Sequence, residues 1–518
     1  MKWSPKVLLW GAFHFGDKPH FGNFEAFMQQ QAIKKEKSPD PYEIVIGLEI
    51  HVQLRTESKL FCSDANLFGS GPNMNVSPIT LGHPGTLPMI NRKAVEFAVR
   101  MGLVCHCDIE RHNYFARKNY FYPDLPKGYQ VSQHTTPICR NGHVIINVEG
   151  EEKKVPLTRI HLEEDAGKSI HDIDPSFTCL DYNRAGVPLI EIVTEPDMRS
   201  SEEAFAFLTE VRKLVRWIGI CDGNMEEGSL RCDANISVRP HGVTELGTKV
   251  EVKNLNSIRN IRKAIDAEAT RLMGMMDRSE TILQETRSYD ADRNTTFSIR
   301  TKEDADDYRY FAEPDLNPFH LTEEWIRGVE KALPPLPEQR MAKYRDEHGL
   351  TDYDAHALCE ERELSDLYER IVGHTDQFKP TANFLMGPVR SWLNERQEGW
   401  DAVKIDPVSW KAMIDLVEGG KLNFSVAAQK LLPALLDGIS TDPVQLAREL
   451  NIIQDADSGS VQKWVDEVIA RMPDKVMEYQ KGKKGLIGLF VGEVKKLSKG
   501  KADPKITNEL LLEKLNRS

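Results

Sequence analysis

No apolar run in this chain approaches the roughly 20 residues that a bilayer-spanning helix requires, and composition is that of a soluble globular protein, with 40% hydrophobic and 28% charged residues. Paired-cysteine spacing is also missing. The eight cysteines stand at 62, 105, 107, 139, 179, 221, 232 and 359, and none forms the C-x-x-C step of a structural zinc site. Cys105-His106-Cys107 is too tight for the usual chelate and reads as packing, so reduced thiols fit better than a disulfide framework. There is no basic excess either. A net charge of −12 argues against a general nucleic-acid binder. Nor does the chain contain G-x-x-x-x-G-K-[ST], G-x-G-x-x-G or H-E-x-x-H, so any nucleotide site is of another type and a zincin is excluded.

What remains is long and segmented. At 518 residues, two to four domains of roughly 100–200 residues are expected. In the first 40 residues, Lys2 and Lys6 precede a short apolar stretch, Val7–Phe13. It lacks a small-residue cleavage site, so residues 1–40 read as a disordered leader, with an organellar transit segment as the competing reading. Residues 41–331 mix strand and helix patterns. Consecutive prolines in ALPPLP, 332–337, forbid helix there and mark a linker, after which helical periodicity dominates. A second, softer boundary falls at Asn451–Gly459. The expected division is therefore 41–331, 332–448 and 449–518. One helix is well defined: Ser200 and Glu203 form a capping box, Ala204, Leu208, Val211, Val215 and Ile218 share a face, and Gly219 ends it.

Strand-like alternation carries the polar chemistry. In YEIVIGLEIHVQL, from Tyr42 to Leu54, Ile44, Ile46, Leu48, Ile50, Val52 and Leu54 share one face, and Gly47, Glu49, His51 and Gln53 the other. Glu49 and His51 are metal ligands, an acid/base pair, or a solvated polar face. In LTRIHLEED, 157–165, Glu164 falls on the face of Ile160 and Leu162, the face expected to be buried. It therefore requires a cation or strong donors, unless the strand frays into an acidic loop. In KVEVKNLNS, 249–257, Lys249, Glu251 and Lys253 oppose Val250 and Val252, as a surface ion-pair ladder or as part of a site. Glu49, His51, Glu164 and Glu251 thus come from three strands that could serve one oxygen-rich centre, which suits Mg²⁺.

LRCDANISVR, 230–239, presents Arg231, Asp233, Asn235, Ser237 and Arg239 on one face, either a hydrogen-bonding floor for a polar substrate or a solvated face. In RKNYFYPDLPK, 117–127, Lys118 and Lys127 could neutralise phosphates while Tyr120 and Tyr122 stack a base or pack in the core. Tyr308 and Tyr310 share that ambiguity. Near the end, Lys481 to Lys501 carries seven lysines and one glutamate. It is a patch suited to nucleic-acid backbone or a solvated helix face.

Six segments, IGLEIHVQL, RKNYFYPDLPKGYQVSQ, HLEEDAGKS, DYNRAGVPLIEIVTEPD, EEGSLRCDANISVRP and KVEVKNLNS, stand together in the order found in one family. From about Tyr42 to the C-terminus the chain resembles the B subunits of the aspartyl/glutamyl-tRNA amidotransferases. The related archaeal-type E subunits carry a large synthetase-like insertion for which this chain has no room.

The resemblance implies an α+β fold: a mixed catalytic cradle with a largely antiparallel sheet, an all-α helical domain and an all-α tail that grips tRNA. It implies ATP-dependent amidation of misacylated Glu-tRNA(Gln) or Asp-tRNA(Asn) in a heterotrimer with the A (amidase) and small C subunits, in the cytoplasm, with ATP and Mg²⁺. Metal ligands carry over to Glu49, His51, Glu164 and Glu251, with Lys118 and Lys127 as further catalytic residues. Tyr120, Arg231, Asp233 and Asn235 are the expected substrate contacts. Lys481, Lys483, Lys484, Lys495, Lys496 and Lys499 are the expected tRNA contacts. Two rivals remain open at this point: a non-catalytic module that recruits tRNA, and a metallohydrolase that needs no ATP.

Overall fold

The alternation of Tyr42–Gln53 builds the spine of the protein. In the computed structural model, which describes residues 41–301, 308–453, 458–498 and 501–516, the principal strands of one large sheet are nine. They are β1 (Tyr42–Gln53), β2 (Ala116–Asn119), β3 (Tyr129–Ser132), β4 (Glu151–Glu164), β5 (Pro188–Thr194), β6 (Leu230–Pro240), β7 (Val250–Leu255), β8 (Glu285–Asp290) and β9 (Thr295–Thr301). Their spatial order is β9-β8-β7-β6-β1-β5-β4-β3-β2. Every one of these neighbours is antiparallel except the parallel pair β7–β8. The leader lies outside the described residues.

One face of the sheet is apolar because every second residue is. Ile46, Leu48, Ile50 and Val52 are buried, in one core with Ala204, Leu208, Val211 and Val215 of helix α2 (Ser201–Trp217) and Ile261, Ala264 and Ile265 of helix α3 (Ile258–Asp277), while helix α1 (Arg92–Val104) adds Val95, Ala98 and Val99. Each large side chain so buried contributes roughly 1.5–3 kcal/mol. Helix α2 starts as its sequence predicts: Ser200 Oγ accepts from Glu203 N–H at 3.1 Å, and Gly219, at φ +72°, follows its end. The Glu203 carboxylate reaches back one residue further than a capping box requires, accepting from Arg199 N–H at 2.7 Å.

The proline-rich linker is short. Ala332 caps the preceding helix and Pro337 opens the next at N1, the position where a missing N–H costs nothing. It is also anchored, since Trp217 Nε1 donates to the Pro335 carbonyl at 2.9 Å. The helices that follow continue the same hydrophobic core through Ile452. Beyond residues 454–457, which are not described, a second core forms around Val461, Val465, Phe490, Val494 and Leu511. No helix among the described residues is long and apolar enough to cross a membrane, and all eight cysteines are free.

One buried charge fastens α3 to the outer strands. Glu268 is 0% exposed, accepts from Arg271 Nη2 at 2.6 Å and Thr296 Oγ1 at 2.6 Å, and lies 3.4 Å from Arg287 Nε. Removing one partner of such a cluster leaves uncompensated charge in the interior. Glu268→Gln is therefore expected to lower stability by about 3–5 kcal/mol, read from the shift of a urea denaturation midpoint.

Candidate active site

The polar face of the sheet holds the site. Antiparallel register aligns His51 of β1 with Glu191 of β5 and Glu191 with His161 of β4, and directly opposite residues lie about 4.5–5.5 Å apart on the same face. Glu163, two residues along β4, joins them. The His51 Nε2 atom is 3.7 Å from Glu163 and 3.6 Å from Glu191. His161 Nε2 is 3.5 Å from each of the same two carboxylates. The four side chains thus form a square of alternating imidazole and carboxylate. Donor atoms of His51, Glu163 and Glu191 all fall within 4.8 Å of one another, the one group among the described residues with the spacing to hold a metal ion.

Electrostatics follow from that square. Burial works against a charged imidazolium at His51, but the hydrogen bond and charge of Glu191, with the charge of Glu163, outweigh it and raise its pKa to about 9. Burial likewise opposes the Glu191 carboxylate, yet His161 and His51 hold it well below the ordinary range. A proton on His51 partly balances the two carboxylates, and a cation held in the square would take over that positive charge.

The square floors a cavity of about 320 Å³ whose walls include Glu49, Lys118, His134, Arg159, Lys249, Glu251, Lys253, Arg300, Tyr308 and Tyr310. Asn235 Nδ2 donates to Glu49 at 2.9 Å, Thr286 Oγ1 to Glu251 at 2.9 Å, and Lys253 Nζ sits 2.9 Å from Glu251. Lys118 lies over the Tyr308 ring at 4.8 Å. A larger cavity, about 500 Å³, opens beyond the end of β1 near Arg55, Phe68 and Lys168, but it contains none of the clustered acids.

Of the residues read from sequence, Glu49, His51, Lys118 and Glu251 converge here. Glu164 and Lys127 do not. Glu164 is buried and does have the cation its burial demands, but that cation is Lys127, and its carboxylate also accepts from Val131 N–H at 2.9 Å. The pair lines a different cavity with Arg117, Gly186 and Glu313. Strand residues alternate sides, so Glu163 and Glu164, 3% and 4% exposed, face opposite surfaces of the sheet. Only Glu163 shares the His51 face, which corrects both the ligand assignment of Glu164 and the placement of Lys127 at the reacting centre.

Tyr120 stands beside the cavity, with ring contacts to Tyr122 and Tyr308. Arg231, Asp233 and Asn235 pair with neighbouring charged side chains instead of forming an open floor. Arg231 Nη2 donates to Asp165 at 2.7 Å, Lys253 Nζ to Asp233 at 2.8 Å, and Asn235 to Glu49. Burial opposes the Asp165 charge, but Arg231 and Arg184 keep that carboxyl low.

Glu163, Glu191 and His161 escaped the reading of the sequence. The available signal was parity: Glu163 shares the alternation of His161, and Glu191 is a lone acid inside PLIEIVT. In the tail, Lys481, Lys483, Lys484, Lys495 and Lys496 are exposed, around the turn before and the end of the helix Ile487–Leu497. Lys499 lies outside the described residues.

Residues 44–327 match the GatB/GatE catalytic domain and residues 366–515 a GatB domain. The chain is 48% identical to the B subunit of the aspartyl/glutamyl-tRNA(Asn/Gln) amidotransferase of Oleidesulfovibrio alaskensis, over 92% of this chain and 99% of that protein. It is 46% identical to the B subunit of Bdellovibrio bacteriovorus, over 92% and 99%, and 45% identical to that of Geobacter sulfurreducens, over 92% and 99%. Such identity, sustained across nearly the full length of these relatives, places the chain in the GatB/GatE family of tRNA-dependent amidotransferase B subunits.

Proposed function

We propose that this chain activates the side-chain carboxylate of misacylated Glu-tRNA(Gln), Asp-tRNA(Asn) or both, within an assembly that includes the A (amidase) and small C subunits. The observation that carries this reading is the half-buried His51–Glu163–Glu191 cluster at the floor of a cavity whose walls include several cationic side chains. A carboxylate is a poor electrophile, because its charge is delocalised and oxide is not a leaving group. Transfer of the γ-phosphoryl of ATP to a carboxylate oxygen gives ADP and an acyl phosphate. Ammonia then attacks the acyl carbon, inorganic phosphate departs, and the amide remains after loss of a proton.

The donor set fits a hard divalent ion. Two carboxylates dominate it, one imidazole completes it, and Glu49 and Glu251 stand nearby as further oxygen ligands. Magnesium held by His51, Glu163 and Glu191 would supply Lewis-acid polarisation of a phosphoryl oxygen. The protein's own contributions are positional. His161 braces both ligand carboxylates from behind, Asn235 and Thr286 orient Glu49 and Glu251, and Lys253 balances Glu251 and Asp233. Lys118 offers its ammonium to the triphosphate from beside Tyr308 and Tyr120. Because the ligands come from hydrogen-bonded strands, the reacting groups meet a rigid floor, which favours in-line transfer. Glutamine hydrolysis belongs to the amidase partner, and the tail lysines Lys481, Lys483, Lys484, Lys495, Lys496 and Lys499 hold the tRNA backbone.

Reconstitution with the A and C subunits, ATP, Mg²⁺, glutamine and each misacylated tRNA tests the reading. Glu163→Gln and Glu191→Gln are each expected to weaken Mn²⁺ binding, measured by paramagnetic resonance, and amide formation by about 10- to 100-fold or more, the range reached when even outer-shell metal partners are removed. Glu164→Gln should leave Mn²⁺ affinity unchanged. Full activity in both Glu163→Gln and Glu191→Gln removes the proposed centre. For the tail, replacing Lys481, Lys483, Lys484, Lys495 and Lys496 by alanine should weaken tRNA binding. It should also flatten the slope of log affinity against log salt by about 0.7–0.9 for each phosphate no longer neutralised, followed by filter binding across a potassium chloride series.

A further inference from the structure

Among the cations of the cavity, Arg159 has no carboxylate partner among the described residues. Arg159 lies on β4 two residues before His161, on the same face, and it lines the cavity. Its Nε is buried and has no hydrogen-bond partner among the described residues. Cross-strand register makes this odder still, because the residue directly opposite Arg159 is Arg140. Like charges so placed destabilise a sheet. Arg140 is satisfied by Glu110, 3.4 Å from its Nε, and by the Thr135 carbonyl at 2.5 Å. On the other side Arg159 faces Val193, and Val193 faces Glu49. An apolar step of one strand therefore separates the guanidinium from the acids of the proposed metal centre.

We propose that Arg159 binds a phosphate of the nucleotide, its guanidinium fork closing on phosphoryl oxygens whose remaining charge faces the His51–Glu163–Glu191 cluster. This rests on the reading of the cavity given above. A guanidinium presents paired N–H donors that match two oxygens of one phosphate. The bound anion resolves both defects at once: it supplies acceptors for the unsatisfied donor side and screens Arg159 from Arg140. A triphosphate suits the cavity better than a lone side-chain carboxylate, since Lys118, Lys249, Lys253 and Arg300 line it as well. Tyr310, whose phenol burial and the Glu163 charge push up to about 12 while Arg159 pulls it down, stacks on His134 at 3.9 Å and closes the wall beside the arginine.

The test uses the assembled complex with Arg159→Ala and Arg159→Lys, or Arg159→Gln, which keeps most of the aliphatic stem, should the alanine variant fail to assemble. KM for ATP is expected to rise about tenfold or more in Arg159→Ala, and to recover partly in Arg159→Lys, which retains charge but not the fork. KM for the misacylated tRNA and Mn²⁺ affinity should stay within about twofold. An ATP KM within about twofold of wild type overturns the proposal, as does a rise confined to the tRNA substrate, which would make Arg159 a carboxylate clamp. If Glu163→Gln and Glu191→Gln are fully active, the metal-centre reading falls whatever Arg159 does. If they are inactive and Arg159→Ala keeps its ATP KM, only the arginine assignment falls.

Discussion

Two acids and two imidazoles, drawn from three adjacent strands, sit with each imidazole Nε2 3.5–3.7 Å from both carboxylates, on a largely buried surface. Four unpaired groups of this kind could not be buried together; each carboxylate is tolerable only because an imidazole flanks it on both sides. The arrangement exists because β1, β5 and β4 are paired in a register that brings His51, Glu191 and His161 into one row. Register in turn is set by the opposite face, where Ile46, Leu48, Ile50 and Val52 must join the apolar faces of the helices in one core. The apolar core thus determines the geometry of the charged site without containing any of it.

Much of this was legible in the chain. Alternation in Tyr42–Gln53 assigns Glu49 and His51 to one face and the core to the other, and the structure places them there. The same holds for Arg231, Asp233 and Asn235 on β6, although these residues turn out to pair with charged neighbours. What was not legible is which strand neighbours which. Glu191 gains meaning only beside His51, a partner 140 positions away in the sequence. Glu164 is the instructive failure. Its burial and its need for a cation follow from local pattern, and Lys127 meets that need, but local pattern equally puts Glu164 on the face away from His51. Convergence of ligands is a non-local property, and parity along β4 was the one local clue that bore on it.

The two faces of the sheet also divide the labour of the polar residues. Above β1, β5 and β4 lie the clustered donors and the cationic wall; on the other side Lys127 and Glu164 close off a cavity shared with Arg117, Gly186 and Glu313. Backbone that is hydrogen-bonded on both sides cannot flex easily, so the two cavities are held at a fixed offset by the thickness of one strand layer. The helices beyond residue 337 extend the cradle's own core, while the region from Val461 onward buries a separate set of side chains.

Consecutive acids on a single strand carry a constraint on chain length. Inserting or deleting one residue in β4 ahead of Glu163 would exchange the surfaces on which Glu163 and Glu164 emerge, sending the lysine-bound acid toward His51 and the histidine-flanked acid toward Lys127. Composition would be nearly unchanged, and the strand would still pair. Point substitutions at many β4 positions leave this facing intact, whereas a shift of one codon reverses it, so the geometry of the site depends on the spacing between Leu157 and Glu164 as well as on the residues within it.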